Sequence, residues 1–185
     1  MKKCVILSFA GLLLLSACKF GTEKKLSTEE VIKEAGKMQG INAGAGNFDF
    51  EVPAGWQRLD TTITGLKMTF IFAPNVNENF RANANVLSQS MNGMSADKFF
   101  NENVTAMSNN MPQFVMIEKG EKEVGGLHGY FLHYSAFTSG RPLEQELYLI
   151  PGKGIAYLLT CTSLKGHMDK DKAGFDQIVS SFKIH

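Results

Sequence analysis

From Phe48 onward, apolar and polar residues alternate with a period of two in segment after segment. In FDFEVPAGW, Phe48, Phe50 and Val52 fall on one side, Asp49 and Glu51 on the other. Successive side chains of a strand point to opposite faces of a sheet, so this pattern predicts a half-buried strand. Pro53 and Gly55 then predict its end. Leu66, Met68, Phe70 and Phe72 alternate in GLKMTFIFAP, with Pro74 as the expected stop. Ala82, Ala84 and Val86 alternate in RANANVLSQS, and their small size predicts an element packed close above them.

Two segments switch to the helical period. Phe100, Val104, Met107 and Met111 recur at helical spacing, with Ser95 as N-cap, Asp97 in the first turn and Pro112 as the stop. Phe175, Ile178, Val179 and Phe182 lie at i, i+3, i+4 and i+7, the stripe of an amphipathic C-terminal helix.

Between these helices the sequence is strand-rich. VMIEK and KEVGG predict a short hairpin around Gly120. LHGYFLHYSAFT puts Tyr130, Leu132, Tyr134 and Ala136 on one face, and a turn follows at Ser139-Gly140-Arg141-Pro142. RPLEQELYLI and GIAYLLTCTS are two further strands joined by Pro151-Gly152-Lys153-Gly154. Three strands, a helix, about four meandering strands and a helix make an α+β fold, with a central antiparallel β-sheet covered by helices.

The N-terminus follows other rules. Lys2 and Lys3 precede an apolar run from Val5 to Leu15, closed by the small residues Ser16 and Ala17. This is the layout of a secretory signal peptide, too short for the roughly 20 apolar residues a membrane span needs. Leu15-Ser16-Ala17-Cys18 resembles the bacterial lipobox. The resemblance implies removal of residues 1–17, a diacylglycerol thioether on Cys18 and acylation of the new amino terminus. Lipid on Cys18, palmitate included, is then the membrane anchor. Lys19, where an Asp would signal inner-membrane retention, favours the periplasmic face of the outer membrane. Residues 18–46 read as a tether containing the glycine-rich INAGAGN and a stretch at 28–35 able to form a short helix, and residues 47–185 as a single globular domain.

Removing Lys2 and Lys3 with the leader leaves 17 basic against 18 acidic residues, a formal net charge of −1. That argues against a nucleic-acid partner and a polybasic grip on lipid headgroups. With Cys4 gone and Cys18 lipidated, Cys161 is the remaining thiol. It shares a strand face with Ile155, Tyr157 and Leu159, which predicts a buried small hydrophobe.

FDFEVPAGW, GGLHGYFLHY and IVSSFKI together resemble DcrB-like bacterial lipoproteins. The domain of that family is similar to the PsbP photosystem subunits and to a eukaryotic family of Ran-GTPase-binding proteins. The resemblance spans residues 47–185 and implies an α/β/α sandwich of PsbP-like type. It also implies a non-catalytic role in the cell envelope: binding a protein partner or supporting an assembly.

Catalytic motifs are sparse. There is no Gly-x-Ser-x-Gly elbow, HExxH or Cys–His cluster, and Gly44-Ala45-Gly46 lacks the context of a dinucleotide fingerprint, so no cofactor or metal is expected. His128 and His133 are five apart on one strand and point to opposite faces. Glu144 and Glu146 share a face and are the candidate pair for an enzyme acting on envelope polymers. Leu143, Leu147 and Leu149 occupy the other face, which predicts that the two carboxylates lie on a solvated one. Met91, Met94, Met107, Met111 and Met116 raise a thioether copper site as a second alternative, with core packing as the other use of such methionines. Trp56, after the Pro-x-Gly turn, and Arg141, at a hairpin tip, are candidate partner contacts.

Overall fold

The computed structural model of the chain describes residues 47–63 and 66–185. The leader, Cys18, the tether and the helix expected at 28–35 lie outside the described residues. The elements run β1 (Phe48–Asp49), β2 (Gln57–Ile63), β3 (Leu66–Asn77), β4 (Phe80–Ser90), α1 (Ala96–Asn110) and β5 (Val115–Val124), then β6 (Leu127–Thr138), β7 (Arg141–Gly152), β8 (Ile155–Leu164), α2 (Met168–Ser181) and β9 (Lys183–Ile184).

Strands β2 to β8 form one antiparallel sheet of seven, in the order β2-β3-β4-β8-β7-β6-β5, while β1 and β9 pair separately. One helix covers each face, so the architecture is the expected α+β sandwich. On one face Phe99, Phe100 and Met107 of α1 pack against Phe70, Leu132, Leu147 and Leu158. On the other, Phe175 and Ile178 of α2 pack against Ala84, Val86, Leu159 and Cys161. The small side chains of β4 thus lie in the core beneath α2, as their size predicts.

The helix signals act as read. The Ser95 hydroxyl accepts the Lys98 N–H at 3.3 Å, and α1 ends at Met111, just before Pro112. α2 stops one residue short of Phe182, whose backbone is already extended (φ −63°, ψ 133°). Phe182 therefore caps the helix rather than ending its stripe, and its ring is fully buried between helix and sheet.

Three strand expectations need correction, and one strand was not foreseen. β1 covers two residues and Val52 is exposed, because the Asp49 carboxylate and the Ser181 hydroxyl take the next two N–H groups, of Phe50 and Glu51. β2 is a strand with no clean alternation to announce it. Pro74 does not end β3: the strand runs on to Asn77 through a register shift between Phe72 and Val76, where the missing N–H is tolerated. Gly120 is not a turn. β5 passes straight through it, and the hairpin closes instead at Gly125-Gly126, both at positive φ. Gly125 is needed there because a Cβ would lie 1.8 Å from the Phe182 carbonyl oxygen.

Candidate functional site

β5 ends the sheet. It pairs with β6 alone among the described elements, so its outer row of backbone groups is open. Pro112 stops α1 and its carbonyl accepts the Phe137 N–H at 2.8 Å, which lays the chain beside β6. Phe114 then stacks on Tyr134 with ring centres 5.4 Å apart. The next three residues, Val115, Met116 and Ile117, are each more than half exposed. A register shift between Met116 and Glu118 makes Ile117 the extra residue of a bulge. Three consecutive large apolar side chains on an open strand edge form a surface that soluble proteins ordinarily avoid.

The rest of β5 reads Glu118, Lys119, Gly120, Glu121, Lys122, Glu123 and Val124, alternating in charge on both sides of Gly120. Lys122 places its ammonium 3.8 Å from the centre of the Phe131 ring. Lys119 reaches Asn101 of α1 and lies over Phe100. Glu121 pairs with His128 at 3.1 Å. These contacts hold the strand against the sheet while leaving its free edge uncovered.

Glu144 and Glu146 do share a face, but it is the face under α2 and not a solvated one. Glu144 accepts the Gly166 N–H at 2.8 Å and sits 2.8 Å from the His133 ring nitrogen, and its side chain is 15% exposed. Glu146 accepts the Tyr148 hydroxyl at 2.7 Å. Both carboxylates bind their own chain. The sheet is covered on both sides, so a strand with one leucine-rich face need not have a wet one. Beside them Cys161 is fully buried, and burial together with the Glu146 charge pushes its thiol well above the usual range, which keeps it protonated and unreactive. His128 and His133 lie on opposite faces, each with a different glutamate.

The other candidates are placed as follows. Trp56 is half-buried, with its ring 5.4 Å from Phe175 in a T-shaped contact. Arg141 donates to the Glu78 carbonyl at 3.2 Å and lies over the Phe80 ring, bracing one hairpin against the next. Met91, Met107 and Met111 are buried in the α1 core, Met94 packs against that core, and Met116 stands apart on β5. Among the described residues no three His, Cys, Asp or Glu side chains group to hold a metal.

The sequence reading missed a buried polar strip under the α1 side. Asn83, Thr162, Gln145 and Tyr134 are neighbours in turn across β4, β8, β7 and β6, with Asn85 and Thr160 in the next row. All six are buried. Gln145 donates to Thr162 at 3.1 Å, while Asn85 Oδ1, Gln145 Oε1, Thr160 Oγ1 and the Tyr134 hydroxyl have no hydrogen-bond partner. Burial pushes the Tyr134 phenol far above its ordinary range, so it stays neutral. The asparagines that alternate with alanine in RANANV carried this signal.

A family model described as PsbP matches residues 37–184. No curated protein matches the chain in sequence. LpqN of Mycobacterium tuberculosis, described as involved in cell envelope biogenesis, is similar in structure with a TM-score of 0.58 at 15% identity, covering 88% of this chain and 99% of its own. A Pseudomonas aeruginosa protein of unknown function, described as a putative regulator, gives 0.56 at 14% identity, covering 74% and 95%. The cyanobacterial PsbP (CyanoP) of Synechocystis gives 0.51 at 17% identity, covering 75% and 86%. At these identities the likeness to the solved structures is one of fold.

Proposed function

The chain belongs to the PsbP family, and from that premise we propose a lipid-anchored cell-envelope protein of DcrB-like type whose domain binds a protein partner and catalyses no reaction. The single observation that carries the binding role is the open edge of β5 with Val115, Met116 and Ile117 exposed beside it. Strand addition supplies main-chain hydrogen bonds to a partner, and the apolar side chains supply the buried area. The engagement of Glu144, Glu146 and His133 within the chain supports a structural use of those groups over catalysis.

Cys18 is the proposed anchor. Residues 1–17 are removed, lipid is attached to Cys18, and residues 18–46 let the domain of residues 47–185 stand off the membrane. One acyl chain holds a protein only marginally, whereas two or more make the attachment lasting. Lys19 favours the periplasmic face of the outer membrane. LpqN is described as involved in cell envelope biogenesis, and the same setting is proposed here.

Two measurements test the parts separately. Labelled palmitate is expected in the wild type and absent from Cys18→Ser; equal labelling of both would remove the anchor. A photo-crosslinking residue at position 117 in the full-length protein is expected to trap a defined partner in native membranes, while one at the still more exposed Val76 traps none. No adduct at 117, or the same adducts at both positions, would remove the binding role of β5.

A further inference from the structure

We propose that the partner at this edge is a second copy of the same chain, joined β5 to β5 about a two-fold axis at Gly120. The proposal rests on the reading of β5 as the binding edge. Charge order carries it. β5 reads Glu118-Lys119-Gly120-Glu121-Lys122. Antiparallel pairing of two copies with Gly120 opposite Gly120 sets Glu118 against Lys122 and Lys119 against Glu121, each twice by symmetry.

The faces agree as well. Glu118 is paired with His133, and Lys122 lies over Phe131, so both project on the α2 side of the sheet. Lys119 and Glu121 are paired with Leu132 and Tyr130 and project on the α1 side. Directly opposite residues of an antiparallel pair point to the same face, so all four pairs can form.

Neighbouring registers fail on charge. A shift of one residue sets Glu118 against Glu121 in one direction and Lys119 against Lys122 in the other. Placing the axis at Lys119 or at Glu121 puts like charges face to face there. Charged edges usually repel strand addition; among the face-matched registers centred from Glu118 to Lys122, the one at Gly120 alone sets no like charges face to face.

Gly120 suits the axis. A side chain there would meet nothing within 4 Å of its Cβ in a single copy, and its absence lets two strands approach where they are closest. Lys119 now holds Asn101 and the Phe100 ring, and Glu121 holds His128, surface partners which they can exchange for the facing copy. Beyond these four pairs, Met116 of each copy faces Val124 of the other and Ile117 faces Glu123. Anchoring two copies in one membrane raises their effective concentration.

The test uses full-length Gly120→Cys in native membranes. Opposite Cα atoms of an antiparallel pair lie about 4.5–5.5 Å apart, within the roughly 4.4–6.8 Å range that a disulfide spans. Mild oxidation is expected to convert most of the variant to a disulfide dimer, with Val76→Cys remaining monomeric. Adding Lys119→Glu and Lys122→Glu is expected to lower the dimer yield about tenfold. Co-expression with a Gly120→Cys chain carrying Glu118→Lys and Glu121→Lys restores it as a mixed dimer. A dimer indifferent to these reversals would overturn the register. If Gly120→Cys gives no dimer while the crosslinker at 117 still traps another protein, the second copy is overturned and the binding edge stands. If neither gives a product, both readings fall.

Discussion

The indole of Trp56 occupies the space that a side chain at Gly174 would need: a Cβ there would lie 2.4 Å from Cζ2 and 2.7 Å from Cε2. This contact, with the neighbouring Phe175, locks the turn after β1 onto α2. Alanine is favoured over glycine in a helix by about 1 kcal/mol, but overpacking costs about 1–3 kcal/mol. Gly174→Ala is therefore expected to destabilise the domain and to shift the emission of Trp56, the only tryptophan, toward the red. In a Trp56→Ala background the same change becomes neutral or stabilising, and denaturant melts of all four proteins, followed by circular dichroism, check the coupling.

Phe182 is the strongest single stability prediction. Its ring is fully buried, stacks on Phe48 with centres 5.8 Å apart and meets Tyr157 edge-on at 6.2 Å. It ties α2, β1 and β8 at one point, next to the β1–β9 pair. Phe182→Ala is expected to cost about 3–5 kcal/mol in denaturant melts. A loss under about 1 kcal/mol, the ordinary size of a surface change, would refute the tie.

Glu144 is predicted to act as a fastener. Glu144→Ala leaves the Gly166 N–H without its acceptor and His133 without its carboxylate. The expected loss is about 1–3 kcal/mol, because polar groups near the sheet lose their partner. Glu144→Gln keeps an acceptor oxygen and is expected to lose less. Thermal melts of the two variants rank them.

Asp171, in the first turn of α2, has its carboxyl pushed above the ordinary range by burial, which outweighs the Ser163 hydroxyl 3.4 Å away. A raised carboxyl pKa means that the folded state holds the proton more tightly than the unfolded chain. Stability therefore falls as pH rises from the unfolded value, about 3.9, through the higher folded one. Relative to Asp171→Asn, the wild type is expected to lose stability across that window and to stay level above it. Paired melts from acid to neutral pH measure the difference.

Much of the fold was legible because each segment carried one clear period. The Ser95 cap, the Pro112 stop, the tyrosine face of β6 and the α2 stripe as far as Val179 sit where their spacing puts them, while Phe182 lies just past the helix end. The failures have one main physical source. A strand's alternation says which residues share a face but not whether the other face is wet. In this sheet both faces are covered, so Asn83 and Asn85 are buried and Glu144 and Glu146 lie under α2. Edge strands were harder still. β2 has little to bury, and in β5 a glycine flanked by charges looks like a turn when no buried face marks the strand. The exposed apolar triplet at Val115–Ile117 was invisible for a related reason: VMI reads as core until its place at the end of the sheet is known.

The central claim is that the open edge of β5 is the working surface, and lysine placed on that edge tests it most directly. Val115→Lys with Met116→Lys puts charge where strand addition needs an apolar edge, at positions already exposed in the folded protein. The measurement is the yield of complexes purified with the full-length protein from native membranes, beside wild type and Val76→Lys. A fall of at least about tenfold is predicted for the edge variant, equal to about 1.4 kcal/mol of binding, with unchanged melting and an unchanged yield for Val76→Lys. An edge variant that folds normally and retains its complexes at the wild-type yield would contradict the claim.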